Sequence, residues 1–267
     1  MRMVTLYQSQ HSHSEGPHRR NSGILLHFAC QRRGGFTLIE MMVVVLIIAI
    51  LSSITAVAVN SAKEKARQTA CMSNLRQFGT AIVTYRADNF GRNPAWLSSL
   101  YPTYIDDKRV YVCRSDKEKG TGDCRPASIP RLDANYNESV LNDYDSRENG
   151  KNSDVKANSY MYEFSAARSP WSVEVIENPT WNDFKENQLA KGDENHKDTN
   201  GKQIPYSSSR MPIVRCYHHA QYGKIRAYGK AGDSSPSPQP ITLNVAYAGN
   251  VIISPLWWEG ALEPGEE

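Results

Sequence analysis

The apolar and polar positions divide the chain into three stretches. From Phe36 to Val59 runs a block of 24 residues in which Glu40 is the single ionisable side chain and proline is absent. Rising about 1.5 Å per residue, a helix of that length spans the roughly 30 Å hydrocarbon layer of a bilayer, so a membrane helix is predicted. After Asn60 the pattern becomes amphipathic through Ala62, Ala66, Ala70, Leu75, Phe78, Ile82 and Tyr85. The last four follow +3, +4, +3 spacing, the stripe of a helix with one buried face. The helix should stop near Asp88-Asn89-Phe90-Gly91, where Gly91 can take a left-handed conformation and Pro94 lies just beyond. Val110–Cys113, Ser159–Phe164, Trp171–Ile176, Met211–Tyr217, Ile241–Tyr247 and Val251–Ser254 are β-branched or aromatic runs of strand length. Asn182–Gln203 and Gly229–Pro240 are polar and read as surface loops. The expected class is α+β: a long N-terminal helix packed on a C-terminal antiparallel sheet with long loops.

Glu40 is the anomaly in the apolar block. A carboxylate in the hydrocarbon layer costs about 2.5–3.5 kcal/mol even on lenient scales, which calls for a partner. The run Gln31-Arg32-Arg33-Gly34-Gly35 abuts the block on its N-terminal side, whereas a secretory signal carries its small-residue cleavage site after the apolar region. A cut after Gly35 would expose an ammonium on Phe36, with Glu40 four residues, about 6 Å, along the same helix. Glu40 could neutralise its own terminus or that of a neighbour displaced by about that rise, and the second option builds a staggered polymer.

Gly35-Phe36-Thr37-Leu38-Ile39-Glu40 resembles the prepilin motif of type IV pilins and of the pseudopilins of type II secretion. The resemblance implies cleavage after Gly35 by a prepilin peptidase, N-methylation of Phe36 and assembly guided by Glu40. It also implies a pilin-like fold in three parts: a cytoplasmic leader (1–35, removed), a transmembrane or filament-core helix (36–60) and a periplasmic or extracellular globular domain (61–267). Many family helices carry a proline partway along, and none lies between Phe36 and Asn93. Cys71-Met72-Ser73-Asn74-Leu75-Arg76-Gln77, then Tyr85, Asp88-Asn89, Gly91 and Pro94, resemble a subgroup of secretion-type pilin-like proteins and suggest that Asn74 and Gln77 do more than face solvent. His218-His219 and the hairpin around Gly249 resemble that subgroup's terminal motif, with Ala248 and Asn250 standing where the motif has Asp and His. Expected partners are the prepilin peptidase, further copies of the chain, other pseudopilins and the inner membrane, crossed once with the N-terminus cytoplasmic. A surface fibre for adhesion, motility or DNA uptake is the alternative within the class. An uncleaved, membrane-anchored binding or enzymatic ectodomain is the alternative outside it.

Charge bears on partners. Residues 1–35 carry Arg2, Arg19, Arg20, Arg32 and Arg33 against Glu15, a net +4 in a chain of +3, so the remainder is close to neutral at −1. Nucleic-acid binding, which relies on clustered Lys and Arg, is not expected. Removal of the leader takes Cys30 and leaves Cys71, Cys113, Cys124 and Cys216. Four cysteines in an oxidising compartment permit three disulfide pairings; Cys113 and Cys124, bracketing the polar loop Arg114–Asp123, are the preferred pair. Cys216 with His218 and His219 offers metal-binding side chains, but the others considered, His196 and Cys124, lie far off in sequence, so no metal site is expected. Asp116, Asp123, Asp143 and Asp145 admit calcium, which major pseudopilins use, though no EF-hand spacing occurs and solvated loop charges are the default. His11, His13 and His18 read as part of a disordered leader. Trp257-Trp258 reads as a lid on the sheet. No nucleophile, phosphate-loop or dinucleotide motif occurs, so catalysis is not expected.

Overall fold

The computed structural model describes residues 35–122, 124, 151–169, 171–173, 176–193, 196–198, 200–227 and 235–260, with backbone alone at 54–58 and 260. Its contacts divide the chain into two compact units, ending and beginning at Leu51 and Ser52. Helix α1, Leu38–Asp88, is continuous over 51 residues.

In the first unit the helix is opened by a reciprocal cap. Thr37 Oγ1 accepts from the backbone N–H of Glu40 at 3.3 Å. Glu40 Oε2 accepts from the backbone N–H and the hydroxyl of Thr37, at 2.7 and 2.8 Å. Thr-x-x-Glu is the sequence form of this capping box, which satisfies N–H groups that a helix start leaves without partners. The apolar side chains that follow are exposed all round, from Leu38 at 78% to Val43 and Val44 at 48%. Among the described residues no helix is long and apolar enough to cross a membrane; the side chains of 54–58 lie outside them, and the apolar sequence runs on to Val59.

In the second unit α1 buries one face through Cys71, Leu75, Phe78 and Ile82, with Tyr85 half-buried beside them. The expected stripe is therefore present from Leu75 onward. Ala62 and Ala66, expected on it, are exposed, and Glu64 is buried instead. The helix ends as the sequence indicates: Phe90 and Gly91 take φ of 55° and 79°, and the Gly91 N–H returns to the Arg86 carbonyl at 2.8 Å. Two successive left-handed residues turn the chain out, and the glycine bears this without a Cβ clash.

The sheet is antiparallel: β1 (Met161–Tyr162), β2 (Pro212–Cys216), β3 (Lys224–Ala227), β4 (Ser237–Ala246) and β5 (Val251–Pro255). β4 is central, pairing with β2 and β5 over its second half and with β3 over Ser237–Pro240. Alternation along β2 decides the two faces. Val214 and Cys216 join the core cluster that contains α1's stripe, whereas Arg215 points the other way. There Arg215 binds Glu163 at 3.2 Å, and Lys185 reaches the same carboxylate at 3.5 Å, all three buried. A bulge between Pro212 and Val214 lets Ile213 also reach the first core cluster. Trp258 is buried in that cluster against Tyr206, while Trp257 is half-buried.

Four local expectations differ. Gly229–Pro240, read as a loop, ends within β4, whose Ser237–Pro240 pairs with β3. The segment from Asn182 read as a loop begins within helix α2, Trp181–Lys191, which opens on a capping box between Thr180 and Asp183. Its polar composition conceals a buried row of Trp181, Lys185 and Gln188, in which Lys185 is neutralised by Glu163. Val110–Cys113 is no strand: Lys108–Tyr111 forms a 3-10 turn capped by Asp107. Within Trp171–Ile176, of which 174 and 175 lie outside the described residues, the described residues form one isolated bridge, Val173 to Ile176.

Gly79 on α1 meets Gly249 in the β4–β5 turn. A Cβ at Gly79 would stand 2.4 Å from the Gly249 carbonyl oxygen, and Gly249 itself has φ of 94°. Two glycines thus allow helix backbone and turn backbone to touch.

Candidate functional site

Two places in the molecule carry candidate chemistry. The first is the segment ahead of α1. Gly35, Phe36 and Thr37 precede the helix, Phe36 is 77% exposed, and a Cβ on Gly35 would meet nothing within 4 Å. The Gly35–Phe36 bond therefore lies in an exposed, non-helical stretch. Glu40, expected to answer a charge at the N-terminus, is folded back on Thr37, one residue from Phe36.

The second is a buried group of three thiols and an imidazole, which the sequence did not predict. The Sγ atoms of Cys71, Cys113 and Cys216 and a ring nitrogen of His219 all lie within 4.8 Å of one another, and all four residues are buried. They arrive from three parts of the chain, Cys216 and His219 from one of them. Cys71 lies on the inward face of α1, ahead of Leu75 and Phe78. Cys113 follows the 3-10 turn, where its N–H donates to Ser159 Oγ at 3.0 Å and its carbonyl accepts from the Asp116 N–H at 3.1 Å. Cys216 ends β2 on the helix-facing side, opposite Leu243 of β4. His219 lies three residues on, heading the short turn Ala220–Tyr222.

The imidazole is held from both sides. One nitrogen, Nε2, is 3.3 Å from Cys113 Sγ; the other, Nδ1, is 2.7 Å from Glu64 Oε1. Glu64 lies two helical turns before Cys71 on the same side of α1, so one helix supplies both a thiol and the carboxylate that orients the ring. This accounts for the burial of Glu64, whose other oxygen takes a hydrogen bond from Ser115 at 3.3 Å and lies 3.9 Å from Arg67. Tyr160 hydroxyl is 3.7 Å from Cys71 Sγ and accepts from Asn74 Nδ2 at 3.2 Å, which leaves its hydrogen for the sulfur. Asn74 thus has a partner in the fold, whereas Gln77 reaches the Ser73 carbonyl on an exposed turn.

The cluster polarises itself. Hydrogen bonds from Cys216 and Cys71, with help from His219, hold the Cys113 thiol far below its ordinary range despite burial. Its partners move oppositely: the hydrogen bond to Cys113, with burial, pushes Cys71 up, and burial first, then Cys113 and Cys71, pushes Cys216 up. Burial alone would lower the His219 imidazole, but Cys113 and then Glu64 outweigh it, and its proton is held more tightly than usual. Of the three thiols Cys113 is thus the most readily ionised, and it lies beside the imidazole.

This arrangement corrects the expected Cys113–Cys124 pair. Cys113 carries a free thiol directed at Cys71, Cys216 and His219, while Cys124 is buried in a separate cluster with Trp96, Met161 and Trp181. The chain returns to Cys113 from α1 and β2, and these bring cysteines that are remote in sequence. The donors beside Cys216 and His219 are thus Cys71 and Cys113, in place of the His196 and Cys124 considered from sequence. His196 stacks on Tyr206, centroids 4.3 Å apart. His218 points to a different partner from its neighbour, 3.6 Å from Asp116. Asp116 is committed to its own loop, accepting from the N–H groups of Glu118 and Gly120 and from Ser159 Oγ. Asp123, Asp143 and Asp145, named with it for calcium, lie outside the described residues, as do His11, His13, His18 and Cys30. In the hairpin, the Ala248 N–H donates to the Ser208 carbonyl and Asn250 to that of Ser209, so both positions serve the turn.

Residues 30–56 match the family model for the prokaryotic N-terminal methylation motif. The N-terminal stretch of the chain is similar to that of pseudopilins and type IV pilins. Among curated proteins it is similar to the type II secretion system core protein G of Pseudomonas aeruginosa, 37% identical over 60 residues. That similarity covers 22% of this chain and 42% of the relative, so the chain spans less than half the length of the curated relative it matches. No solved structure matches the chain. The long helix followed by an antiparallel sheet is the α+β arrangement expected from the resemblance.

Proposed function

We propose that this pilin-like protein is a structural subunit of a type II secretion filament. It is made with the leader 1–35, cut after Gly35 by a prepilin peptidase and N-methylated on Phe36. The observation that carries this reading is the exposed Gly35–Phe36 bond directly ahead of a helix whose described apolar side chains are exposed from Leu38 to Leu51. A protease needs an accessible, non-helical bond. An apolar surface on every side of a helix needs lipid before assembly or other subunits after it.

In this role the block Phe36–Val59 lies in the inner membrane before assembly and in the filament core afterwards. The globular part stands on the periplasmic side, with other pseudopilins as further partners, and the role is structural, not enzymatic. Glu40 performs two successive tasks. In the uncut chain it caps the helix through Thr37. After cutting, the new ammonium lies one residue from Thr37, and the same carboxylate can turn to it or to the terminus of an adjacent subunit. In a medium of low dielectric that attraction is strong enough to choose the stagger between subunits.

The test is Glu40→Ala in cells that hold the peptidase. The expected outcome is normal cleavage with loss of filaments; filaments in wild-type yield would overturn the assembly role. A bulky Gly35→Leu should leave the chain uncut, and a mature-length product from it would overturn the assigned cleavage site.

A further inference from the structure

We propose that Cys71, Cys113, Cys216 and His219 bind one zinc ion that fastens α1 to the sheet. The inference does not rest on the filament role. It begins with donor geometry: four soft or borderline ligand atoms lie within 4.8 Å of one another, all buried, from three separate elements. A tetrahedral zinc site with sulfur ligands at about 2.3 Å and nitrogen at about 2.0–2.1 Å holds its ligand atoms at just such mutual spacing, and Cys3His is an established structural ligand set. Cys216 and His219 are separated by two residues, a spacing at which one short loop supplies two ligands. Cys71 and Cys113 close the set from α1 and from the turn after Tyr111.

The surroundings point the same way. A histidine that ligates zinc through one nitrogen donates its other N–H to a carboxylate, carbonyl or water, which fixes ring and tautomer. His219 has this arrangement: Nδ1 lies 2.7 Å from Glu64, and Nε2 faces the sulfurs. Tyr160, its hydroxyl fed by Asn74, supplies a donor to Cys71 Sγ. Three thiolates around a divalent ion leave one negative charge, which a hydroxyl donor to sulfur helps to spread. Sulfur with imidazole selects zinc over the calcium or magnesium that oxygen-rich loops prefer. With four protein ligands the site has no open position, so its role is structural: zinc displaces the thiol protons and ties three remote segments together. The competing chemistry is a disulfide, which would take two of the sulfurs and leave the third thiol and a buried imidazole without that partner.

The test is zinc content of the full chain, purified in detergent with a thiol reductant and no chelator. About one equivalent per chain is expected, falling to background in Cys71→Ser and Cys216→Ser but retained in Cys124→Ser, whose sulfur lies in another cluster. Glu64→Gln should keep the ion but bind it about 10- to 100-fold more weakly in a chelator competition. Because ligand variants can fail to fold, the wild-type chain also serves alone. Exchange with cobalt should give thiolate-to-metal charge transfer and the intense visible bands of a tetrahedral site. Wild-type chain without zinc and without the cobalt spectrum would overturn the proposal. So would a mapped disulfide between any two of the three cysteines, or zinc lost equally from Cys124→Ser.

Discussion

The two ends of α1 are built from one backbone and differ in what their side chains ask for. Before Leu51 the helix is apolar on all sides and its described side chains are exposed, Met42 at 64% and Ile47 at 51%. From Cys71 to Ile82 apolar residues occupy one face, and that face is fully covered by the chain's own sheet and loops. Helix propensity does not separate the two, since both are helical. The angular distribution of apolar residues does. A stripe finds its cover inside the same chain, whereas a continuous apolar cylinder has to find it in lipid or in other molecules.

The largest test of that contrast is Phe78→Ala. Phe78 is fully buried and meets Tyr111 and Tyr160 edge-on, each at 5.2 Å between ring centroids. The substitution should destabilise the globular unit by about 3–5 kcal/mol in denaturant unfolding of the full chain; a change under about 1 kcal/mol would mean that the stripe does not hold the helix to the sheet.

Next in size is Gly79→Ala, which sets a methyl against the Gly249 carbonyl. Neither backbone can yield cheaply, and a cost of about 1–3 kcal/mol is expected in the same assay. Gly249→Ala tests the opposite side of the contact and adds the strain of a left-handed φ at a residue with Cβ.

A smaller effect is expected at the helix start. Thr37→Ala removes the hydroxyl that caps Glu40, at a cost of about 1 kcal/mol confined to the first turn. It should appear as faster amide exchange over the first turn of α1, with the unfolding midpoint of the globular unit unchanged.

The smallest effect on unfolding is that of Val44→Ala. This side chain is 48% exposed and lies outside the globular unit, so the midpoint should move by less than about 0.5 kcal/mol. A large shift there would erase the distinction between the two ends of the helix.

How far these features are legible in sequence follows the same division. Periodicity along a continuous segment is local information. It located α1, its stripe from Leu75 and its end at Gly91, and the β4–β5 hairpin through Gly249. Helix α2 was hidden because its buried row includes Lys185 and Gln188, whose polar chemistry is matched by partners elsewhere in the chain; the Thr180…Asp183 spacing was the local signal for it. Val110–Cys113 has strand composition but closes into a turn, because Asp107 caps the N–H of Arg109. The thiol–imidazole cluster is the non-local extreme. Cys216 and His219 are neighbours in sequence, but Cys71, Cys113 and Glu64 join them only when α1 and the turn after Tyr111 dock on the sheet. Glu64 nevertheless bore a sign of its role, an acid two helical turns from Cys71 on one side of an amphipathic helix. Glu40 was noticed for its charge, while the Thr37-x-x-Glu40 pattern that gives it a second task is equally plain in the sequence.

The central claim is that the apolar end of α1 is freed at Phe36 to find its cover outside the chain. The most direct measurement is the intact mass and N-terminal sequence of the protein isolated from membranes, with and without an active prepilin peptidase. The account predicts a chain beginning at N-methylated Phe36 when the peptidase is active and an uncut chain when it is not. A chain that keeps residues 1–35 in the presence of active peptidase would contradict it and would leave the helix as an anchor for the globular unit alone.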